Sequence, residues 1–252
     1  MSLEFLSPAA AALARSPMEH EALAAGAELE RRDGWNVAVR FDGAEAERMR
    51  CRTTVGFADR SQLGKIEVQA APADLAAIAG EWLDSGGATR ADGGGATDAG
   101  DRIALGRAAR FDDAWWCPYT PERALVLCEP GASAAMLERL ARAASRRDGL
   151  TSVTDVTAAF GALVIAGPLA REAIARFCAL DLRDAVAPVE GFRPGSVART
   201  PGAILRAGEH SFLMLFGAAL GRYVWTVVAD AAQSLGGGPV GLDALEEASS
   251  HA

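Results

Sequence analysis

Short runs of alternating apolar and polar residues recur along the chain in pairs. Each pair of runs is followed by a segment whose apolar residues have the spacing of a helix. The pattern predicts four copies of one unit, in which two short strands precede an amphipathic helix. The predicted strands are 55–58 and 65–69, 113–117 and 124–128, 152–156 and 161–166, and 204–206 and 212–216. The predicted helices are 72–83, 132–146, one opened by Pro168, and 218–235. The chain therefore alternates strand pairs with helices.

A further strand and helix are predicted ahead of these units. Residues 35–41 alternate apolar with polar side chains and lead into the turn pair Asp42-Gly43. Residues 44–52 are rich in Glu and Arg, which favours a short exposed helix, and we expect Met49 to face the core.

Hairpins that alternate with covering helices are typical of antiparallel sheets with helices on one face. The predicted fold class is therefore α+β, with the helices packed outside the sheets. Residues 84–101 contain no apolar side chain larger than alanine. Such a segment buries too little surface to offset its ordering entropy, so we expect a mobile loop there.

The composition of the chain limits the kinds of molecule that it is expected to bind. The chain has 252 residues, a formal net charge of −8 and one lysine, Lys65, among its 25 basic residues. An acidic chain without a basic run is not expected to bind nucleic acid. No apolar stretch approaches the roughly 18 residues of a membrane span, and the first charged residue is Glu4, so we expect a cytoplasmic protein that does not enter the membrane.

The cysteines and histidines give no recognisable metal or disulfide pattern. Four cysteines lack any CxxC spacing and three histidines form no HxxxH pair. No metal site is predicted, and buried free thiols in a reducing compartment are the expectation.

Two positions offer candidate chemistry. Asp112 and Asp113 open a predicted strand, and because neighbouring strand residues face opposite ways, one of the two carboxylates can face a pocket. The alternative is a solvated turn at the strand edge. Glu209 lies at a predicted hairpin end, where a carboxylate could accept paired N–H groups from a heterocycle. The alternative there is an ordinary polar turn.

Together, several segments resemble the glycine-cleavage T-protein (aminomethyltransferase) family and its relatives in folate-linked sarcosine and dimethylglycine oxidation. The most specific match is VGFADRSQLGKIEV from Val55. The others are GAELERRDGWNVAVRF, FDDAWWCPYTPERALVLC, VTDVTAAFGALVIAGPLAREAI and GEHSFLMLF. The resemblance extends over nearly the whole chain, from about residue 17 to residue 245.

The resemblance implies a site as well as a fold. Asp112 falls on the family's catalytic aspartate, and Glu209 falls on the glutamate that holds the pteridine of tetrahydrofolate, with Arg206 beside it as a second cofactor-binding candidate. The implied architecture is two T-protein-like subdomains around a central cavity. Residues 1–50 and 153–252 are expected to form one subdomain and residues 51–152 the other.

The sequence also departs from the family's pattern. Arg110-Phe111 replaces a Gly-Gly pair before the aspartates, and residues 203–207 replace an Arg-Thr-Gly-Tyr-Thr run. The family's C-terminal barrel is expected to be absent, as in the small subunit of heterotetrameric sarcosine oxidase. Two functions remain open: folate-dependent one-carbon transfer, with a flavoprotein oxidase or lipoyl-carrier protein as partner, and a non-catalytic assembly module that has lost folate.

Overall fold

The computed structural model describes residues 13–85, 104–111 and 114–249, without the side chains of 83–85 and 246–249. The helices are α1 Glu19–Ala24, α2 Ala44–Thr53, α3 Pro72–Ser85, α4 Ser133–Ala144, α5 Ala170–Ala175, α6 Gly221–Gln233 and α7 Leu242–Ser249. The strands are β1 Glu28–Arg32, β2 Trp35–Arg40, β3 Gly56–Asp59, β4 Gly64–Gln69, β5 Ala109–Phe111, β6 Ala114–Thr120, β7 Arg123–Cys128, β8 Ser152–Asp155, β9 Phe160–Ala166, β10 Phe192–Val197, β11 Thr200–Gly208, β12 Ser211–Gly217 and β13 Gly238–Pro239. In these ranges no helix is both long enough and apolar enough to cross a bilayer.

The strands form two large sheets and one small ribbon. The six-stranded sheet has the order β10-β11-β12-β9-β3-β13, and the five-stranded sheet has the order β5-β6-β7-β4-β8. Strands β1 and β2 form a separate two-stranded ribbon. All the pairs are antiparallel except the short pair of β13 with β3. The predicted α+β class with antiparallel sheets is therefore confirmed.

Strand pairing differs from the prediction in two of the four units. The second and fourth units are hairpins, β6 with β7 and β11 with β12. In the first and third units the two strands belong to different sheets, because β3 pairs with β9 and β4 pairs with β8. The chain crosses between the sheets through residues 60–63 and again through 156–159. The hairpins expected in the first unit, 55–58 with 65–69, and in the third unit, 152–156 with 161–166, were therefore wrong. The subdomain boundaries at residues 51 and 153 stay a prediction.

Strand alternation gives each sheet one face toward helices and one face toward the other sheet. On β12, Phe212, Met214 and Phe216 pack with α5 and α6, whereas Leu213 and Leu215 pack against residues of the five-stranded sheet. On β7, alternate residues likewise pack with α3 and α4 or with the six-stranded sheet. The layers therefore run helix, sheet, sheet, helix, which is the predicted placement of helices outside.

Apolar side chains occupy much of the space between the two sheets. Leu125, Leu127, Leu205 and Leu213 belong to one buried cluster drawn from both sheets. At one side of this cluster the rings of Tyr119 and Phe192 meet edge to face, with centroids 5.0 Å apart. The central cavity implied by the family resemblance stays a prediction. Most of the expected mobile loop, residues 86–101, lies outside the described residues.

Helix α2 presents a different face from the one expected. Met49 is 47% exposed, whereas Glu47 is fully buried and Cys51 is 8% exposed. The reason is the Glu47 carboxylate, which accepts hydrogen bonds from the backbone N–H groups of the turn before the helix. This polar contact outweighs the hydrophobic preference of one methionine and sets the rotation of the helix.

Candidate functional site

The hairpin between β11 and β12 carries two of the predicted site residues. Strands β11 and β12 pair from Gly202 with Phe216 to Gly208 with Ser211, with a register shift between Arg206 and Gly208. Such an irregularity bends the strand and redirects side chains near the turn. Arg206 lies just before the shift and Glu209 lies in the turn.

Arg206 is a buried arginine whose nitrogens bind protein acceptors. The residue is 4% exposed. Its Nη1 donates to the Asp184 carboxylate and to the carbonyl oxygen of Ala187, the latter at 3.0 Å. Its Nη2 donates to the carbonyl oxygen of Glu209 at 3.0 Å, and its Nε to that of Gly208 at 3.4 Å. The guanidinium therefore fixes the hairpin turn to the segment 184–187.

The acidic partner of this arginine bridges two cations. Asp184 Oδ1 accepts hydrogen bonds from Arg206 and from Arg171, the second at 2.6 Å. The Arg171 and Arg206 guanidiniums hold the pKa of the Asp184 carboxyl below its usual range. Because Asp184 stays ionised, the positive charge of Arg206 is balanced within the protein.

The Glu209 carboxylate projects into solvent. Its side chain is 81% exposed, and the neighbouring His210 Nε2 lies 3.9 Å from Oε1. The backbone of Glu209 is held by Arg206 while its carboxylate keeps free acceptor positions. A carboxylate on an anchored turn can accept hydrogen bonds from an external ligand at little conformational cost.

Asp112 and Asp113 lie outside the described residues, so the predicted catalytic role of Asp112 stays a prediction. The residues on either side, Phe111 and Ala114, pair with each other in the β5–β6 ladder. The segment that leads into β5 is hydrogen-bonded to the Arg206 region. Ala108 N donates to Glu190 O at 2.7 Å, and Glu190 N donates to Arg206 O at 2.8 Å. Strand β5 therefore starts beside the same loop that holds Arg206.

A buried charged group that the sequence analysis did not select lies at the start of β4. Lys65 is fully buried, and its Nζ donates to the carbonyl oxygens of Ser61 at 2.8 Å and Leu63 at 2.9 Å. Burial lowers the pKa of Lys65 to about 8, although the nearby carboxylates of Asp59 and Asp155 oppose the change. A signal was available, because Lys65 is the chain's one lysine and lies between Gly64 and Ile66 at the start of a predicted strand.

Asp59, in β3, is the carboxylate beside this lysine. It accepts a hydrogen bond from Ser16 Oγ and one from the backbone N–H of Ser61 at 2.9 Å. Burial raises the pKa of the Asp59 carboxyl, and these hydrogen bonds and Lys65 offset only part of the increase. The segment from Asp59 to Lys65, which lies within the most specific family resemblance, therefore holds a half-buried carboxylate and a buried amine of opposite charge at the crossing between the sheets.

Known structures share this arrangement of sheets and helices. A chain of heterotetrameric sarcosine oxidase from Corynebacterium sp. U-96, solved in complex with pyrrole 2-carboxylate, is 22% identical with a TM-score of 0.62, over 88% of this chain and 96% of that one. The aminomethyltransferase T of the glycine cleavage system from Bartonella henselae is 19% identical with a TM-score of 0.71, over 92% of this chain and 61% of that one. The fold is therefore that of the T-proteins.

Comparison with known sequences identifies the family of this chain. The family described as the GCVT N-terminal domain matches residues 105–249, which is more than half of the chain. The chain therefore belongs to this family. An aminomethyltransferase of Frankia alni is 29% identical over 253 residues, covering 93% of this chain and 62% of the relative. An aminomethyltransferase of Picosynechococcus sp. is 39% identical over 56 residues, or 22% of this chain and 15% of the relative. The chain thus spans less than two thirds of either relative.

Proposed function

We propose that this chain binds tetrahydrofolate through Glu209 and takes part in one-carbon transfer from an amine donor. The observation that carries the proposal is the anchored turn: Arg206 holds the Glu209 carbonyl, and the Glu209 carboxylate remains open to solvent. Family membership and the resemblance to aminomethyltransferases supply the ligand class. A pteridine offers neighbouring N–H groups, which one carboxylate can accept together.

Each predicted residue has a distinct part in this proposal. Glu209 would accept the ligand's N–H groups. Arg206, with its nitrogens directed to protein acceptors, would position Glu209 without a contact of its own. Tetrahydrofolate, when bound, supplies the nitrogen that receives the one-carbon unit. Asp112 would accept or return a proton at that nitrogen, which is the role of a positioned carboxylate in general acid–base catalysis.

The proposed setting is a cytoplasmic complex of several subunits. The similarity to a chain of a heterotetrameric sarcosine oxidase supports a flavoprotein oxidase as partner, and a lipoyl-carrier protein is the second partner class. The four cysteines are free and buried, which supports a reducing compartment.

A non-catalytic assembly module is the second candidate. The apolar cluster between the two sheets favours it, because Leu125, Leu127, Leu205 and Leu213 fill space in which a ligand would otherwise be enclosed. In that case the fold is retained for contact with another subunit and tetrahydrofolate does not bind.

Calorimetric titration with tetrahydrofolate under reducing conditions distinguishes the two candidates. We expect Glu209→Ala to weaken binding by about 1.5–3 kcal/mol, or roughly 10–150-fold, because hydrogen bonds to a charged group have this strength. Glu209→Gln should lose less, since the amide retains an acceptor. Glu138→Ala, which removes an exposed glutamate from α4, is the matched control and should bind like wild type. Absence of binding by wild type up to millimolar concentration would support the assembly module and end the folate proposal for the isolated chain.

A further inference from the structure

A cavity of about 440 Å³ opens at the surface where β2, the start of α4 and the end of β8 meet. Its walls include the side chains of Trp35, Gln62, Ser133, Asp155 and Thr157. None of these residues belongs to the β11–β12 hairpin. An inference from this cavity is therefore independent of the folate proposal.

The carboxamide of Gln62 has no hydrogen-bond partner among the described residues, although Gln62 is only 6% exposed. Since Gln62 lines the cavity, a ligand or solvent molecule there can satisfy the amide. Gln62 is largely buried, and its amide remains available to a molecule in the cavity, which distinguishes this cavity from an ordinary surface depression.

Two hydrogen bonds hold other polar groups of the walls in place. Asp155 Oδ1 accepts the backbone N–H of Thr157 at 2.8 Å. Thr157 Oγ1 accepts the backbone N–H of Lys65 at 3.0 Å, which leaves the hydroxyl proton available to donate. These contacts fix the Asp155–Thr157 turn in the wall. The cavity thus presents an amide, a hydroxyl and a carboxylate at defined positions.

The charge around the cavity favours a cation. Asp155 is exposed, and Asp33 adds a second carboxylate beside Gly131, next to the cavity wall. The nearest ammonium, that of Lys65, is enclosed by the Ser61 and Leu63 carbonyl groups and is also near Asp59. An anion would therefore meet two carboxylates, of which Asp155 is balanced only in part by Lys65. A cation would meet opposite charge, and aromatic rings such as that of Trp35 also attract cations.

We propose that this cavity binds a small organic ammonium compound. Its charged end would contact Asp155, its apolar part would lie against Trp35, and a polar substituent would bond to the Gln62 carboxamide. The cavity would discriminate between ligands by charge more than by shape, because its carboxylates interact with a ligand more strongly than its neutral polar groups do.

The test is a titration of ¹⁵N-labelled protein followed by NMR, with n-butylammonium as the probe and butanoate and 1-butanol as probes of equal chain length. We expect n-butylammonium to bind with a millimolar dissociation constant and to shift the Trp35 indole N–H signal. Butanoate and butanol should give at least tenfold weaker effects, because one charge-assisted contact contributes 1.4 kcal/mol or more. This comparison uses only the wild-type protein and does not depend on any variant folding.

Two variants locate the contact. Asp155→Asn keeps the acceptor for the Thr157 N–H while removing the charge, and should weaken n-butylammonium binding about tenfold. Asp230→Asn removes an exposed carboxylate from α6 and should leave the affinity unchanged. Equal responses to the three probes, no binding of n-butylammonium below 100 mM, or wild-type affinity in Asp155→Asn would each overturn the proposal.

Discussion

The carboxylate of Glu47 accepts a hydrogen bond at 2.6 Å from the backbone N–H of Gly241, which lies 194 residues further along the chain. Its other oxygen accepts the N–H groups of Phe41, Asp42 and Gly43 at 2.7, 3.0 and 3.1 Å. One fully buried side chain thus joins the turn before α2 to the segment before α7. Its negative charge also lies in the first turns of α2, where the helix dipole favours it.

Replacement of Glu47 should destabilise the protein strongly. We expect Glu47→Ala to lower the free energy of unfolding by about 3 kcal/mol or more, because several buried backbone N–H groups lose their acceptor. Glu47→Gln should cost less, since its carbonyl oxygen can still accept. Urea denaturation followed by circular dichroism measures both. Glu45→Ala in the same helix is the control, because Glu45 is exposed, and a loss of equal size in that variant would contradict the assignment.

Lys65 should make stability depend on pH in the alkaline range. Its pKa is about 8 in the folded protein against 10.5 in the unfolded chain, because burial disfavours the ammonium. Between these values the unfolded state binds more protons, so stability should rise from pH 8 to pH 10.5, by about 3 kcal/mol at most. Lys65→Met removes the titrating group. The difference between wild type and Lys65→Met in urea denaturation, measured at each pH with reductant present, isolates the effect.

The contribution of Lys65 to stability could instead fall, or stay constant, between pH 8 and pH 10.5. That result would mean that Asp59 and Asp155 stabilise the ammonium by at least as much as its burial destabilises it. Lys65→Arg serves as the second variant. It keeps the charge at all these pH values, so it should show no rise with pH.

Arg206 should support folate binding through the backbone. We expect Arg206→Lys to lower the free energy of unfolding by about 2–3 kcal/mol, because an ammonium cannot reach the acceptors that the planar guanidinium joins. Tetrahydrofolate affinity should fall together with stability. Arg222→Lys, at a site whose side chain is 86% exposed, is the control and should change neither. A loss of affinity without a loss of stability would instead indicate direct contact between Arg206 and the ligand.

Asp112 should matter for turnover and not for binding. In a complex reconstituted with its partner subunits, we expect Asp112→Asn to reduce one-carbon transfer by about 10²–10⁴-fold, the usual size of a general acid–base contribution. Tetrahydrofolate affinity measured by calorimetry should stay close to that of wild type. Asp113→Asn is the matched control and should retain most of the activity. Transfer that is indifferent to Asp112→Asn would exclude a catalytic role for this carboxylate.

Local periodicity determined much of the fold. Neighbouring residues alone specify the apolar faces of α3, α4 and α6 and the alternation within the strands. The reason is that burial of one face repeats every 3.6 residues in a helix and every two in a strand. The second and fourth units were also predicted correctly as hairpins, since a short turn forces neighbouring strands together. Glu209 was a candidate both from its place at a predicted hairpin end and from the family resemblance, whereas Arg206 followed from the resemblance alone.

Tertiary structure decided which distant groups meet. Strand β3 pairs with β9 and β4 with β8, because residues 60–63 carry the chain from one sheet to the other, and no local signal distinguishes that crossing from a hairpin. The same holds for buried polar groups. Glu47 looks like a surface glutamate in the sequence, yet its acceptor role requires Gly241 to arrive from the far end of the chain. A hydrophobic pattern indicates only which positions along one helix or strand are buried. A hydrogen bond between distant segments, in contrast, forms only once the whole chain has folded.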